Sequence, residues 1–196
     1  KDLDFQNAEG NELSDFSVAI VGKTNTGKST IFNLIKKKKI ALTGSQPNLT
    51  RDSIETDISF KDLNFKMFDT AGFSKNNREK IIKLSTNQTL KKIRLCKVIL
   101  VVFDINNYFE KINSKIISLV CSENRCNLIL VNKIDSVNDL PKKEVIKHIQ
   151  ELNPQIKDAP IMFVSARDNR GFEDLHSTIL KQLRLWKKRI KTTARV

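Results

Sequence analysis

The sequence predicts an α/β protein, a three-layer sandwich with a mostly parallel six-stranded sheet, one antiparallel strand, and helices on both faces. Three observations carry this. Short apolar segments of strand length alternate along the 196 residues with longer stretches whose apolar side chains recur at helical spacing. Two of the strands, "KVILVVFD" (97–104) and "CNLILVN" (126–132), are continuous apolar runs, the pattern of strands covered on both faces. One pair, "SIETDISF" (53–60) and "LNFKMFD" (63–69), is separated only by "KD", a connection that fits a hairpin.

Taken in order, "FSVAIV" (16–21) is rich in β-branched residues and reads as a buried strand. Ser29 to Ile35 follows as a helix with Ile31, Phe32, Leu34 and Ile35 on one stripe, and the lysines at 36–39 are expected just after it, at its negative C-terminal end. "IALTGSQPNLTRDS" (40–53) has the turn residues of a loop. After the hairpin, 78–96 carries a helical stripe through Ile82, Leu84, Thr89, Leu90 and Ile93. Lys111–Val120 lies as a helix between the two apolar strands, and "PKKEVIKHIQEL" (141–152) begins a helix with Pro141 in its first turn. "APIMFVSA" (159–166) is the last strand, and "GFEDLHSTILKQLRLWKKRI" (171–190) closes the chain as a long amphipathic helix. Residues 1–15 are polar and read as a linker, and 16–196 as one domain. A chain that starts at Lys1 rather than Met is expected to be a piece excised from a longer one.

No apolar run approaches the roughly 20 residues of a membrane span, and no export leader is visible, so a cytoplasmic setting without membrane contact is expected. The net charge of +13 suggests an anionic macromolecular partner such as RNA. Of the 35 basic residues 26 are Lys, however, and the 36–39 run reads first as a solvated helix end. Cys96, Cys121 and Cys126 lack metal-ligand spacing to His148 or His176, and buried free thiols in a reducing compartment are expected.

Chemistry concentrates in polar strings that follow strands. Gly22 to Ser29, within "GKTNTGKST", matches G-x-x-x-x-G-K-S at a strand-to-helix turn. Gly22 and Gly27 allow successive N–H groups to face inward around a phosphate at a helix N-terminus. Lys28 supplies a point charge for the β- and γ-phosphates of a nucleotide, and Ser29 a hydroxyl for Mg2+. Lys23, Thr24, Asn25, Thr26 and Thr30 complete the expected cradle.

In "FDTAG" (68–72), Asp69 is suited to the Mg2+ shell and the Gly72 N–H to the γ-phosphate, although D-x-x-G alone is also an ordinary turn. "VNKID" (131–135) discriminates the base: Asp135 can accept two hydrogen bonds from guanine that adenine cannot offer, the Lys133 stem can lie over the ring, and Asn132 can brace the loop. In "SAR" (165–167), the Ala166 N–H can meet the guanine carbonyl oxygen while Ser165 buttresses the loop and Arg167 flanks it. Thr50 in "LTRD" can reach Mg2+ and sense the γ-phosphate.

Present together and in this order across 18–167, these motifs resemble those of translation-factor-related P-loop GTPases. "LTRDSIET", the segment "REKIIKLSTNQTLKKIRLCKVILVVFD" soon after "DTAG", and the ending "WKKRIKTTARV" resemble the second GTPase domain of the Der (EngA) double-GTPase family. The resemblance implies the P-loop NTPase fold, GTP and GDP as ligands with Mg2+, and slow GTP hydrolysis. It further implies an adjacent G domain and a KH-like domain in cis, with action on the large ribosomal subunit and its rRNA. Two departures stand out: "TGSQPNLTRD" replaces the usual "AGTTRD", and "GFSKNNREK" is poor in arginine.

Phe73 occupies the place where Ras-like enzymes carry a water-orienting Gln, and no Arg is identifiable as a finger in cis, with Arg51 left open. In related cation-activated GTPases an Asn at the position of Asn25 ligates K+, so the resemblance implies K+ as a further cofactor; the plainer reading is a loop-favouring residue. The alternatives are a tRNA-modification GTPase resembling MnmE, whose cysteine-bearing tail is missing here, and a non-hydrolysing module whose bound nucleotide sets affinity for RNA or a partner domain. A plain basic RNA-binding domain leaves the nucleotide motifs unexplained.

Overall fold

The computed structural model describes residues 15–43, 55–60, 63–69 and 93–193. Among the described residues six strands, β1 (Asp15–Val21), β2 (Glu55–Phe60), β3 (Leu63–Asp69), β4 (Val98–Asp104), β5 (Cys126–Asn132) and β6 (Ile161–Phe163), form one sheet in the order β2-β3-β1-β4-β5-β6. Among the pairings of these described strands only β2–β3 is antiparallel, as the short hairpin connection requires. The sheet is therefore the mostly parallel six-stranded one that the sequence predicts.

Helices α1 (Lys28–Thr43), α2 (Lys111–Ser122), α3 (Lys142–Leu152) and α4 (Leu175–Thr193) cover it. Because side chains alternate faces along a strand, each central strand feeds two cores. Val18, Leu100 and Leu128 join the α1 and α4 residues Ile31, Ile35, Ile179 and Leu183 on one face. Ala19, Ile99 and Ile129 join Ile116, Val120, Val145 and Ile149 of α2 and α3 on the other. All seven residues of β4 are buried, which is why its sequence shows no polar alternation.

Several boundaries differ from the sequence reading. Helix α1 does not stop at Ile35: the lysines at 36–39 lie inside it and Ile40–Thr43 continue it, so the run is no terminal feature. Lys, Ile, Ala and Leu all sustain a helix, and the first breaker is Gly44. Strand β6 keeps only three residues, because the chain turns after Val164 into a loop in which Ser165 and Arg170 exchange backbone hydrogen bonds of 3.0 and 3.1 Å. Helix α4 starts at Leu175, after Gly171 takes a left-handed φ of 81°. Pro141 is the N-cap of α3 rather than a first-turn residue, its carbonyl accepting the Val145 N–H at 3.0 Å.

Of the helix expected over 78–96, only Ile93–Cys96 is described, with Ile93–Leu95 helical and Cys96 past the helix end; of the linker expected over 1–15, only Asp15 is described, and it is the first residue of β1. Cys96 and Cys126 are buried free thiols, whereas Cys121 is half-buried. Burial pushes the Cys126 thiol up to about 12. Among the described residues no helix is long and apolar enough to cross a membrane.

Candidate nucleotide-binding site

The parallel strands all run the same way, so their carboxyl ends form one edge, where ligands of such sheets bind. The described motifs fall there. β1 runs into the 22–27 loop, Asp69 ends β3 opposite Ile20, Asp104 ends β4, Asn132 ends β5, and the 165–170 loop follows β6.

The phosphate loop is shaped by its backbone. Asn25 and Gly27 take left-handed φ values of 65° and 92°. A Cβ at Gly22 would run into the Val102 carbonyl of β4, and one at Gly27 into the side-chain amide of Asn132, so both positions exclude any side chain. The Gly27 carbonyl accepts the Ile31 N–H at 3.0 Å, which starts α1 directly behind the loop. Lys28 is buried at 6% exposure, and its ammonium donates to the Lys23 carbonyl, which also accepts the Thr26 hydroxyl at 3.0 Å. Thr24, Asn25, Ser29 and Thr30 are exposed around it.

The base side is built instead from side chains. Asn132, 2% exposed, donates its amide to the Thr26 carbonyl at 2.9 Å and accepts the Ala166 N–H at 3.0 Å. One residue thus ties the phosphate loop, its own loop and the 165–170 loop together. The Ala166 N–H, expected to face a guanine carbonyl, is directed here at Asn132, a contact that a bound base would share or replace. Lys133 takes a left-handed φ of 65° and reaches Asp104 at 2.7 Å.

Asp104 also accepts the Asn106 N–H and side-chain amide, each at 3.0 Å. Burial works to raise its pKa, but the hydrogen bonds from Lys133 and Asn106 prevail and hold it below the ordinary carboxylate value. Asn106 continues to Ser136 Oγ at 2.8 Å, and Ser136 returns to the Lys133 carbonyl at 2.7 Å. Sequence reading misses Asp104 and Asn106, although a signal is there: a lone acid ends the apolar run of the central strand.

Asp135 accepts the Ser165 hydroxyl at 2.7 Å, and Arg167 lies 3.4 Å from its other oxygen. The Ser165 bond first, with smaller help from Arg167 and Arg170, depresses its pKa against the opposing effect of burial. The carboxylate is therefore ionised and oriented, as acceptance of two guanine N–H bonds requires. Ser165 accepts the Asp168 N–H at 3.1 Å while its hydroxyl donates to Asp135.

These residues fit a guanine nucleotide: a loop with left-handed Asn25 and Gly27 leading to a buried lysine at a helix start, and a carboxylate held by Ser165. Of the Mg2+ candidates, Ser29 lies in the first turn of α1, which follows β1, and Asp69 is the last residue of the neighbouring strand β3. Thr50, Arg51, Gly72 and Phe73 lie outside the described residues.

Comparison with known proteins points the same way. Residues 17–133 match the family described as 50S ribosome-binding GTPase. The chain belongs to this GTPase family. Within it the chain is similar to the GTPase Der proteins: it is 35% identical over 206 residues to a GTPase Der of Ruegeria pomeroyi, a match covering 98% of this chain and 42% of that one. A GTPase Der of Bartonella bacilliformis is 34% identical over 197 residues, covering 97% of this chain and 41% of the relative. The chain thus spans about two fifths of the length of these relatives.

Solved structures with the same fold include the FeoB G-domain from Methanococcus jannaschii, with a TM-score of 0.57 at 18% identity, covering 87% of this chain and 99% of that one. Era in complex with MgGDPNP and nucleotides of 16S ribosomal RNA gives a TM-score of 0.65 at 24% identity, covering 87% of this chain and 57% of the other. At such identities the likeness is one of fold, and the fold is that of the P-loop GTPases.

Proposed function

We propose that this chain is a Der-type G domain, the second of two in its full-length protein, and that it binds and hydrolyses GTP as a switch in assembly of the large ribosomal subunit in the cytoplasm. The observation that carries the nucleotide reading is Asn132, whose single side chain locks the phosphate loop to both base-side loops. The family match supports the hydrolytic reading, and the Der relatives support the ribosomal one.

In this reading Asp135 selects guanine by accepting its N–H groups, Lys133 lies along the ring, and Lys28, aimed by the Lys23 carbonyl, meets the phosphates with its three-donor ammonium. Ser29, Asp69 and Thr50 would hold Mg2+, which when bound neutralises phosphate charge, and the Gly72 N–H would meet the γ-phosphate. Asn25, exposed at the loop's outer turn, would hold K+, which supplies positive charge where a finger arginine is lacking. The net charge of +13 suits contact with rRNA beside the second G domain and a KH-like domain in cis.

The test has two parts. GDP should bind and ADP should not, and Asp135→Asn should lose at least about tenfold in GDP affinity, since one accepting oxygen becomes a donor. Equal binding of ADP and GDP overturns the base reading. GTP hydrolysis in KCl should exceed that in NaCl at equal ionic strength, with the excess lost in Asn25→Ala. Binding with no turnover in either salt would instead make the domain a nucleotide-dependent binding module.

A further inference from the structure

Lys23, the second residue of the phosphate loop, forms an ion pair across 87 positions with Glu110, its ammonium 2.6 and 2.8 Å from the two carboxylate oxygens. Glu110 is the N-cap residue of α2, yet its side chain makes no cap hydrogen bond. A carboxylate at a helix N-terminus ordinarily accepts its own first-turn N–H groups. Here the start of the helix is secured otherwise: Asn113 folds back to donate to the carbonyls of Asn107 and Tyr108 at 2.9 and 3.1 Å. Both oxygens of Glu110 are thereby released toward the loop.

The residue so anchored is the one whose carbonyl accepts both the Lys28 ammonium and the Thr26 hydroxyl. Its side chain thus fixes the backbone group that aims the phosphate-binding lysine. The loop around it contains two left-handed residues and carries the cationic side chains of Lys23 and Lys28, so its binding shape is not one the free chain would favour. A contact that holds the shape beforehand lowers the cost of binding.

We propose that Glu110 is a positioning residue for nucleotide binding: through Lys23 it anchors the phosphate loop to the β4–α2 junction and keeps Lys28 aimed. This rests on the nucleotide reading of the site. It also fixes a sign. Were Glu110 only sequestering a lysine that would otherwise grip phosphate, its removal would tighten binding; as an anchor, its removal weakens it.

The test is binding of a fluorescent GDP to the whole chain and to Glu110→Gln, Lys23→Gln and the double variant, with apo unfolding midpoints alongside. Both side chains are about one third exposed, at 33% and 31%, so each single variant should bind about three- to fivefold more weakly, the range of a partly exposed pair. The double variant should bind no more weakly than the weaker single one, because the two residues act as one unit. In steady-state hydrolysis the loss should enter KM for GTP rather than kcat. Lys23→Gln, which leaves the α2 cap untouched, carries the test if Glu110→Gln fails to fold. Unchanged or tighter binding in the single variants, or additive losses, overturns the proposal while leaving the nucleotide reading intact. Failure of the unaltered chain to bind GDP overturns that reading and the proposal with it.

Discussion

The two ends of the candidate site are built by different means. At the β1 end the phosphate loop owes its shape to backbone angles and to positions that tolerate no Cβ. At the β5–β6 end the shape comes from side-chain bonds among Asn132, Asp135, Ser165, Lys133 and Asp104. The difference teaches where each end is vulnerable. A backbone-built loop fails when a side chain is added, and a side-chain-built pocket fails when one is removed. Gly27 and Asn132 are where the two constructions meet.

Gly27→Ala should have the largest effect, because it breaks both at once. The new Cβ is strained at φ 92° and would overlap the Asn132 amide, which must then leave the Thr26 carbonyl. Strain and lost hydrogen bonds together should lower stability by about 3–5 kcal/mol and abolish nucleotide binding. Denaturant unfolding and a GDP titration check this; a variant with unaltered GDP affinity would mean that the loop is far more pliant than its geometry.

Asn132→Ala sharpens the comparison by removing the side chain while leaving the loop backbone unstrained. The Thr26 carbonyl and the Ala166 N–H lose their buried partner, a cost of about 2–4 kcal/mol. GDP affinity should fall at least tenfold, because both loops lose their mutual register. A loss as large as that of Gly27→Ala would place nearly all the strength of the junction in the asparagine and almost none in the glycine.

This division also explains what is legible in the sequence. The phosphate loop can be read residue by residue because its determinants are local: an apolar strand, glycines at fixed spacing, a lysine, and a helix start. Asn132 reads as a brace for its own loop, and nothing in "VNKID" reveals a partner 106 positions away. Asp104 looks like the polar end of a strand until topology brings β4 beside β5 and sets Lys133 against it. Glu110 is invisible for the same reason, since its pairing with Lys23 needs β1 and β4 to be neighbours in the sheet. The displaced end of α1 has a different cause: a lysine run suggests a terminus, although lysine sustains a helix as well as most residues do.

The smallest expected effect isolates the base side alone. Asp104→Asn keeps an oxygen for the Asn106 donors but loses the ion pair with Lys133, whose side chain is 38% exposed, so about 1 kcal/mol of stability is at stake. The sign of its pH dependence follows from the direction of the shift. The folded pKa of Asp104 lies below the ordinary value of 3.8, so its contribution is fully present above that value and is lost as pH falls through the depressed one. The stability gap between the unaltered chain and Asp104→Asn should therefore stay constant from neutrality down to about pH 4 and close below it. Urea unfolding across that range decides the matter: a gap that persists at the acid end would assign the loss to packing around the new amide, and the Lys133 tether would then contribute little to how the base pocket is held.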